Sequence, residues 1–273
     1  MGTQDKQETS GRRSGGALKG KVVIVTGASK GIGRAIGLRL AREGGKLVLA
    51  ARDAKALGEV AGEIESGGGT AVSFAADLRD SKIPAALVDA ALHAHGALDV
   101  VVNNAGATRR GDFLQLSDAD WLDGFALKFF GAVRLVRAAW PHLKSRHGAV
   151  LNIIGVGGRT PDADFTIGGS VNGACLSFTK ALAQIGLRDG VRVNAINPGW
   201  IRTGRLDQRL EQMAAERGGT PDTLAEELVR QADIARLGTP EDIGNLAAFV
   251  LSPEGSLLHG SLIDMDAGRT KTV

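Results

Sequence analysis

The chain has 273 residues, 43% of them hydrophobic and 23% charged, with 39 glycines, a formal net charge of +3 and no tyrosine. A chain of this length buries enough surface to fold without metal or disulfide staples, and the missing tyrosine excludes every mechanism that needs a phenolic proton donor. The charge excess lies wholly in residues 1–21, where Lys6, Arg12, Arg13, Lys19 and Lys21 outweigh Asp5 and Glu8, so residues 22–273 are formally neutral. A nucleic-acid footprint needs clustered Lys and Arg on one face, so no nucleic-acid partner is expected. No 18-residue apolar run is present to span a bilayer, and no membrane partner is expected either. Arg12-Arg13 lacks the apolar region that a twin-arginine signal requires. Residues 1–17 are rich in Gly, Ser, Gln and Thr and read as a disordered leader, with a cytoplasmic location as the default.

In chain order, residues 21–26 (KVVIVT) read as a buried strand, followed by a glycine turn and a helix over 32–43. A second strand is expected at 46–51, a helix at 54–65, and a third strand at 71–75 leading to a helix that ends near His95. Residues 98–102 form the fourth predicted strand and 118–143 a long helix. The fifth strand is expected at 149–154, a helix at 171–188, the sixth strand at 191–196 and a short last one at 261–264. Buried strands alternating with helices imply parallel βαβ units with right-handed crossovers. The expectation is therefore one α/β, doubly wound domain over residues 18–273. Cys175 falls in an apolar helical pattern and reads as core packing. His93 and His95 are two apart on a helix, hence on different faces, so no metal site is expected.

The most informative segment is Thr26-Gly27-Ala28-Ser29-Lys30-Gly31-Ile32-Gly33, which leaves a strand and opens a helix. Glycines let the backbone approach a pyrophosphate, and the helix N-terminus offers free N–H groups and a positive dipole end. The end of the second strand distinguishes the nicotinamide cofactors. It reads Ala50-Ala51-Arg52-Asp53, and Lys30 lies in the turn. Two cations near the adenosine ribose favour a 2′-phosphate through charge-assisted contacts, hence NADP(H) over NAD(H). The competing reading makes Arg52 a solvated charge and Asp53 a helix cap.

At this point the chain resembles the short-chain dehydrogenase/reductase family over almost its whole length. The resemblance is carried by TGASKGIG, Asp77-Leu78, Asn103-Asn104-Ala105-Gly106, Asn197-Pro198-Gly199 and Arg236-Leu237-Gly238-Thr239-Pro240-Glu241-Asp242. It implies a Rossmann-type sheet of seven parallel strands with helices on both faces. It also implies that Asp77 and Leu78 lie near the adenine and that Asn104, Ala105 and Gly106 lie along the cofactor, with Pro198 and Gly199. Ile201 and Thr203 would lie near the nicotinamide amide. A mobile helical lid over about 203–237, a small-molecule substrate and a homodimer or homotetramer belong to the same expectation.

The family's chemistry rests on Asn, Ser, Tyr and Lys, and all four positions differ here. Counted from Phe178-Thr179-Lys180, Gly168 stands at the tyrosine position and Asn172 at the lysine position. Gly155 stands at the serine position and, counted from Trp121, Lys128 stands where the family has asparagine. The two glycines are expected to leave a hollow. Phe165, three residues before Gly168, carries no ionisable proton. Asn172 can hydrogen-bond a ribose. Lys128, in an otherwise apolar stretch, would have its charge disfavoured by burial and is a candidate proton donor, base or oxyanion stabiliser. Its other reading is a lysine that snorkels to solvent. Asp164 would share a face with Gly168 and Asn172 if helix extends that far, and is the third candidate; its other reading is an exposed loop acid. Three functions remain open: an NADP(H)-dependent oxidoreductase with a rebuilt proton relay, a non-catalytic cofactor-sensing or scaffold protein, and a non-redox lyase or hydratase.

Overall fold

The computed structural model describes residues 16–271. Of the expected leader, 1–15 lie outside the described residues. Gly16 and Ala17 are packed: the Ala17 N–H donates to Glu43, and a Cβ on Gly16 would strike the Glu43 backbone.

Seven parallel strands form one sheet in the order β3-β2-β1-β4-β5-β6-β7. They are β1 (Val22–Thr26), β2 (Lys46–Ala51), β3 (Thr70–Ala75), β4 (Val100–Asn103), β5 (Ala149–Ile153), β6 (Arg192–Pro198) and β7 (Leu262–Met265). Every residue of β1 is buried, because helices cover both faces. Alternation sorts the side chains: Val23 and Val25 join one core with Leu47, Leu49, Val100 and Val102. Val22 and Ile24 join the other with Val48, Val101, Val150 and Val193. The first core is closed by helices α1 (Gly31–Arg42), α2 (Ala54–Ser66) and α9 (Pro240–Leu251). The second is closed by α3 (Ile83–His95), α5 (Gly131–Ser145) and α6 (Thr166–Asp189). The chain winds outward from β1 to β3 and then restarts beside β1 with β4. This switch point opens a crevice at the C-terminal strand ends, where ligands bind in doubly wound sheets.

Two elements differ from the sequence expectation in ways that shape the site. The long helix expected over 118–143 is α4 (Asp118–Phe125) followed by a π turn (Ala126–Phe130) and then α5. The extra residue per turn centres on Lys128, and such bulges occur frequently at functional sites. Helix α6 begins at Thr166, five residues before the expected start, with no side chain capping its N-terminus. Gly168, Gly169 and Gly173 weaken the local helix signal, and without a cap residue no sequence cue marks the true beginning. The segment expected as a lid holds α7 (Gly204–Arg217) and α8 (Pro221–Gln231). Leu206, Leu210, Leu224 and Ala225 give it a small core of its own, packed against Trp200. No helix among the described residues is long and apolar enough to cross a membrane.

Candidate active site

The turn between β1 and α1 is pinned by the loop after β4. The Thr26 hydroxyl accepts from the backbone N–H groups of Asn104 (2.9 Å) and Ala105 (3.0 Å). The Asn104 amide donates to the carbonyls of Thr26 (3.0 Å) and Gly27 (3.2 Å). A Cβ on Gly33 would lie 2.2 Å from the Gly27 carbonyl oxygen and 2.4 Å from the Asn104 amide nitrogen, so only glycine permits this approach. Gly27 and Gly31 have φ of +66° and +56°, a region that glycine enters at little cost. The result is a helix N-terminus facing an open cleft of about 660 Å³, within the roughly 300–1,000 Å³ range of ligand sites.

The structure brings most of the predicted cofactor residues to this cleft. Gly27, Ser29, Lys30, Gly31, Ile32 and Gly33 line one wall, and Arg52, Asp77 and Leu78 line the far end. Asn104, Ala105 and Gly106 form the floor, with Pro198, Gly199 and Thr203 opposite. Ile201 is the exception. It is buried in the sheet core and bridges to Gly238, so its side chain faces away from the cleft. Asp53 caps α2, accepting from the Ala56 N–H at 3.0 Å, while Arg52 remains 67% exposed with Asp77 at 3.9 Å. Asp77 is itself engaged by the Arg79 backbone and guanidinium. Lys30 is exposed.

At the other end, Lys128 points inward from the π turn. Its ammonium donates to the Ile154 carbonyl and, at 2.7 Å, to Asn172 Oδ1. Burial lowers its pKa from the ordinary 10.5 to about 8, with the Arg205 guanidinium pushing the same way and Cys175 opposing. Cys175 is buried and its thiol is pushed up by that burial. Beside Lys128 lies a small cavity of about 10 Å³, bordered also by Asn103, Asn152 and Cys175, roughly the room one water needs. A buried hydrogen-bond chain runs from Asn103 to Asn152 (2.9 Å) and on to Thr179 (2.9 Å).

The hollow expected at the two glycines is not there at Gly168. A Cβ on Gly168 would fall 1.9 Å from the Phe165 ring, which fills that place. Gly155, at φ +126°, sits beside the Asn172 amide, 3.2 Å from where its Cβ would be. Asp164 does not reach inward either. It precedes the first turn of α6, is 49% exposed, and binds Arg110 (2.7 Å) and Arg209 (3.5 Å). The face shared with Gly168 and Asn172 does not form because α6 starts after it.

Sequence reasoning missed the residues that wall this end of the cleft: Arg110, Trp200, Arg205 and Arg269. Trp200 directly follows Asn197–Gly199 and Arg110 lies four residues after Gly106, and position alone marks them. Arg269 comes from beyond β7, and nothing local ties it to Trp200.

The chain matches the family described as enoyl-(acyl carrier protein) reductase over residues 27–270. It is 37% identical to an uncharacterised oxidoreductase of Mycobacterium tuberculosis, covering 93% of each chain. It is 33% identical to the oxidoreductase UcpA of Escherichia coli, over 93% of this chain and 96% of that protein. Among solved structures it resembles L-sorbose reductase of Gluconobacter frateurii, complexed with NADPH and L-sorbose. The TM-score is 0.91 and the identity 30%, over 94% and 98% of the two chains. A short-chain dehydrogenase of Burkholderia cenocepacia in complex with NADP gives a TM-score of 0.82 at 29% identity, covering 93% and 99%.

Proposed function

The chain belongs to the short-chain dehydrogenase/reductase family, and on that premise we propose that it is an NADP(H)-dependent oxidoreductase of a carbonyl/alcohol pair in which Lys128 replaces tyrosine as proton donor. The glycine cradle at Gly33 fits a dinucleotide, since its backbone approach admits no side chain and its N–H groups face the cleft. Lys30 and Arg52 at the far end fit a 2′-phosphate, and the structural relatives complexed with NADPH and NADP support the same preference. When bound, the nicotinamide supplies or accepts the hydride at the reacting carbon.

The observation that carries the reading is an exchange of partners. Asparagine and lysine trade places relative to the family pattern, and the lysine reaches across to hydrogen-bond the asparagine at 2.7 Å. An ammonium thus returns to the inner end of the cleft from the opposite helix. Two of its N–H groups are held by Ile154 and Asn172, and an ammonium has three. The third is the one available to a substrate oxygen. With a pKa near 8, Lys128 is mostly protonated at neutral pH yet gives up its proton readily, the match that general acid catalysis favours. Asn172 orients the donor, and Gly155 makes room for the Asn172 amide.

The test is Lys128→Met, assayed for NADPH binding by fluorescence and for turnover over a panel of carbonyl compounds. General acid help is worth about 10²–10⁴-fold, so turnover falls by that factor while NADPH affinity stays within about threefold. Unchanged turnover would remove Lys128 from the chemistry. A second reading, a cofactor-binding protein without turnover, is favoured by the Phe165 ring that closes the Gly168 position. Tight NADPH binding with no turnover of any carbonyl would select it. The lyase or hydratase reading keeps only Lys128, because Asp164 is held by Arg110 and Arg209 and does not itself line the cleft.

A further inference from the structure

Beyond Lys128 the cleft ends in a cluster of cations around two aromatic rings, and the cations come from three separate parts of the chain. Arg110 follows β4, Arg205 and Arg209 lie on α7, and Arg269 follows β7. Trp200 is the hub: the guanidinium carbons of Arg269, Arg209 and Arg110 lie 5.2, 5.5 and 5.8 Å from its ring centre. Arg110 also stacks on Phe165 at 4.0 Å.

Two carboxylates hold this cluster in place. Asp162 binds Arg269 (2.6 Å) and lies 3.7 Å from Arg110, while Asp164 binds Arg110 and Arg209. Two carboxylates against four guanidiniums leave an excess of positive charge, with the Lys128 ammonium at the inner end. Arg205 is the guanidinium without an acidic partner among the described residues; its one bond is to the Gly106 carbonyl at 3.2 Å. That bond places it over the cofactor floor, and it is close enough to Lys128 to disfavour the lysine's charge. A latch between α7 and the body of the protein needs only balanced pairs. Arg205 adds repulsion to the site, and an anion lodged there would relieve it.

We propose that the outer end of the cleft binds the anionic group of the substrate, a carboxylate or phosphate, with Arg205 as its first ligand. Arg110 and Arg269 supply the flanking guanidiniums, and Trp200 and Phe165 form the apolar floor for the carbon skeleton. This deepens the oxidoreductase reading by giving it a substrate class: a carbonyl or alcohol compound bearing a terminal oxyanion. The guanidinium fork suits both oxyanions through paired N–H donors, so carboxylate and phosphate probes separate the two.

The test is isothermal titration of succinate, inorganic phosphate and uncharged succinamide into NADPH-saturated protein, repeated on cofactor-free protein. Saturable binding of succinate or phosphate, at least tenfold tighter than succinamide, is expected, and the tighter of the two identifies the oxyanion. Arg205→Gln is expected to weaken it at least tenfold. Arg137→Gln, the same charge change at an exposed position on α5, is expected to leave it unchanged. Equal affinity for succinamide, no saturable anion binding, or equal losses in the two variants would overturn the assignment. Failure of NADPH to bind would count against the oxidoreductase reading alone, because the arginine cluster belongs to this chain and its titration in cofactor-free protein still reads it.

Discussion

At the end of the cleft beside β1 and β2 the recognition surface is largely backbone. Glycines at 27, 31 and 33 set its shape, Asn104 pins it, and Lys30 and Arg52 are the cations that line it. At the end beside β5 and α6 the surface is side chains: Lys128 on a π turn, Asn172 facing it, Phe165 over Gly168, and arginines around Trp200. A backbone cradle tolerates little substitution without losing its geometry, because the close contact is made by atoms every residue shares. A side-chain site can be rebuilt one residue at a time while the sheet beneath it stays intact. The difference allows one end to keep the family's glycine turn while the side chains at the other end vary.

The largest effect is expected at Gly33. A valine there places a Cβ 2.2 Å from the Gly27 carbonyl oxygen, which forces the β1–α1 turn apart. Overpacking of this kind costs about 1–3 kcal/mol. NADPH affinity should fall more than a hundredfold with a lower melting temperature, read by fluorescence titration and thermal unfolding. Gly168→Ala at the other end strikes the Phe165 ring instead, and a ring can rotate. NADPH affinity should change less than fivefold there, and a larger loss would mean that the two ends are not separable.

Arg52→Glu sharpens the comparison at the far end. It places a carboxylate beside Asp77 and removes a cation from the ribose position, so NADPH affinity should fall about tenfold while NADH affinity holds or improves. Equal losses for both cofactors would undo the NADP(H) preference.

A smaller effect separates the ends by pH. Lys128 has its folded pKa lowered from 10.5 to about 8, so the unfolded chain binds more protons between those values. Stability contributed by this group therefore rises as pH increases from about 8 to 10.5 and is lowest below 8. Relative to Lys128→Met, which lacks the titration, the native chain should gain stability between pH 7 and pH 10 in urea unfolding. A constant difference between the two proteins across that range would contradict the burial of the ammonium.

Much of the fold was legible because it rests on short-range pattern. Buried five-residue runs such as VVIVT marked the strands, and the seven-stranded parallel sheet came out as expected, with strand ends displaced by one or two residues. The glycine turn was legible for the same reason, since its chemistry is local. Lys128 was found by spacing, although the π turn that aims it was not, because nothing in ALKFF distinguishes a π turn from ordinary helix. Sequence marks Phe165 only as a ring without an ionisable proton, since its ring position depends on where α6 begins. Of the two readings open for Asp164, the structure takes the exposed loop acid, because α6 begins after it. The side chain of Ile201 packs in the sheet core and does not line the cleft. The arginine cluster was invisible for a longer-range reason: Arg110 and Arg269 meet at Trp200 only after the whole sheet has assembled.

The proposed chemistry requires an ammonium with a depressed pKa at the inner end of the cleft. The direct measurement is an NMR titration of protein carrying ¹³Cε-labelled lysine, with Lys128→Met to assign the signal. One lysine titrating near pH 8, absent from the variant, is the predicted result. A Lys128 signal that titrates at the ordinary 10.5 would contradict it, and would leave this cleft without a proton donor suited to neutral pH.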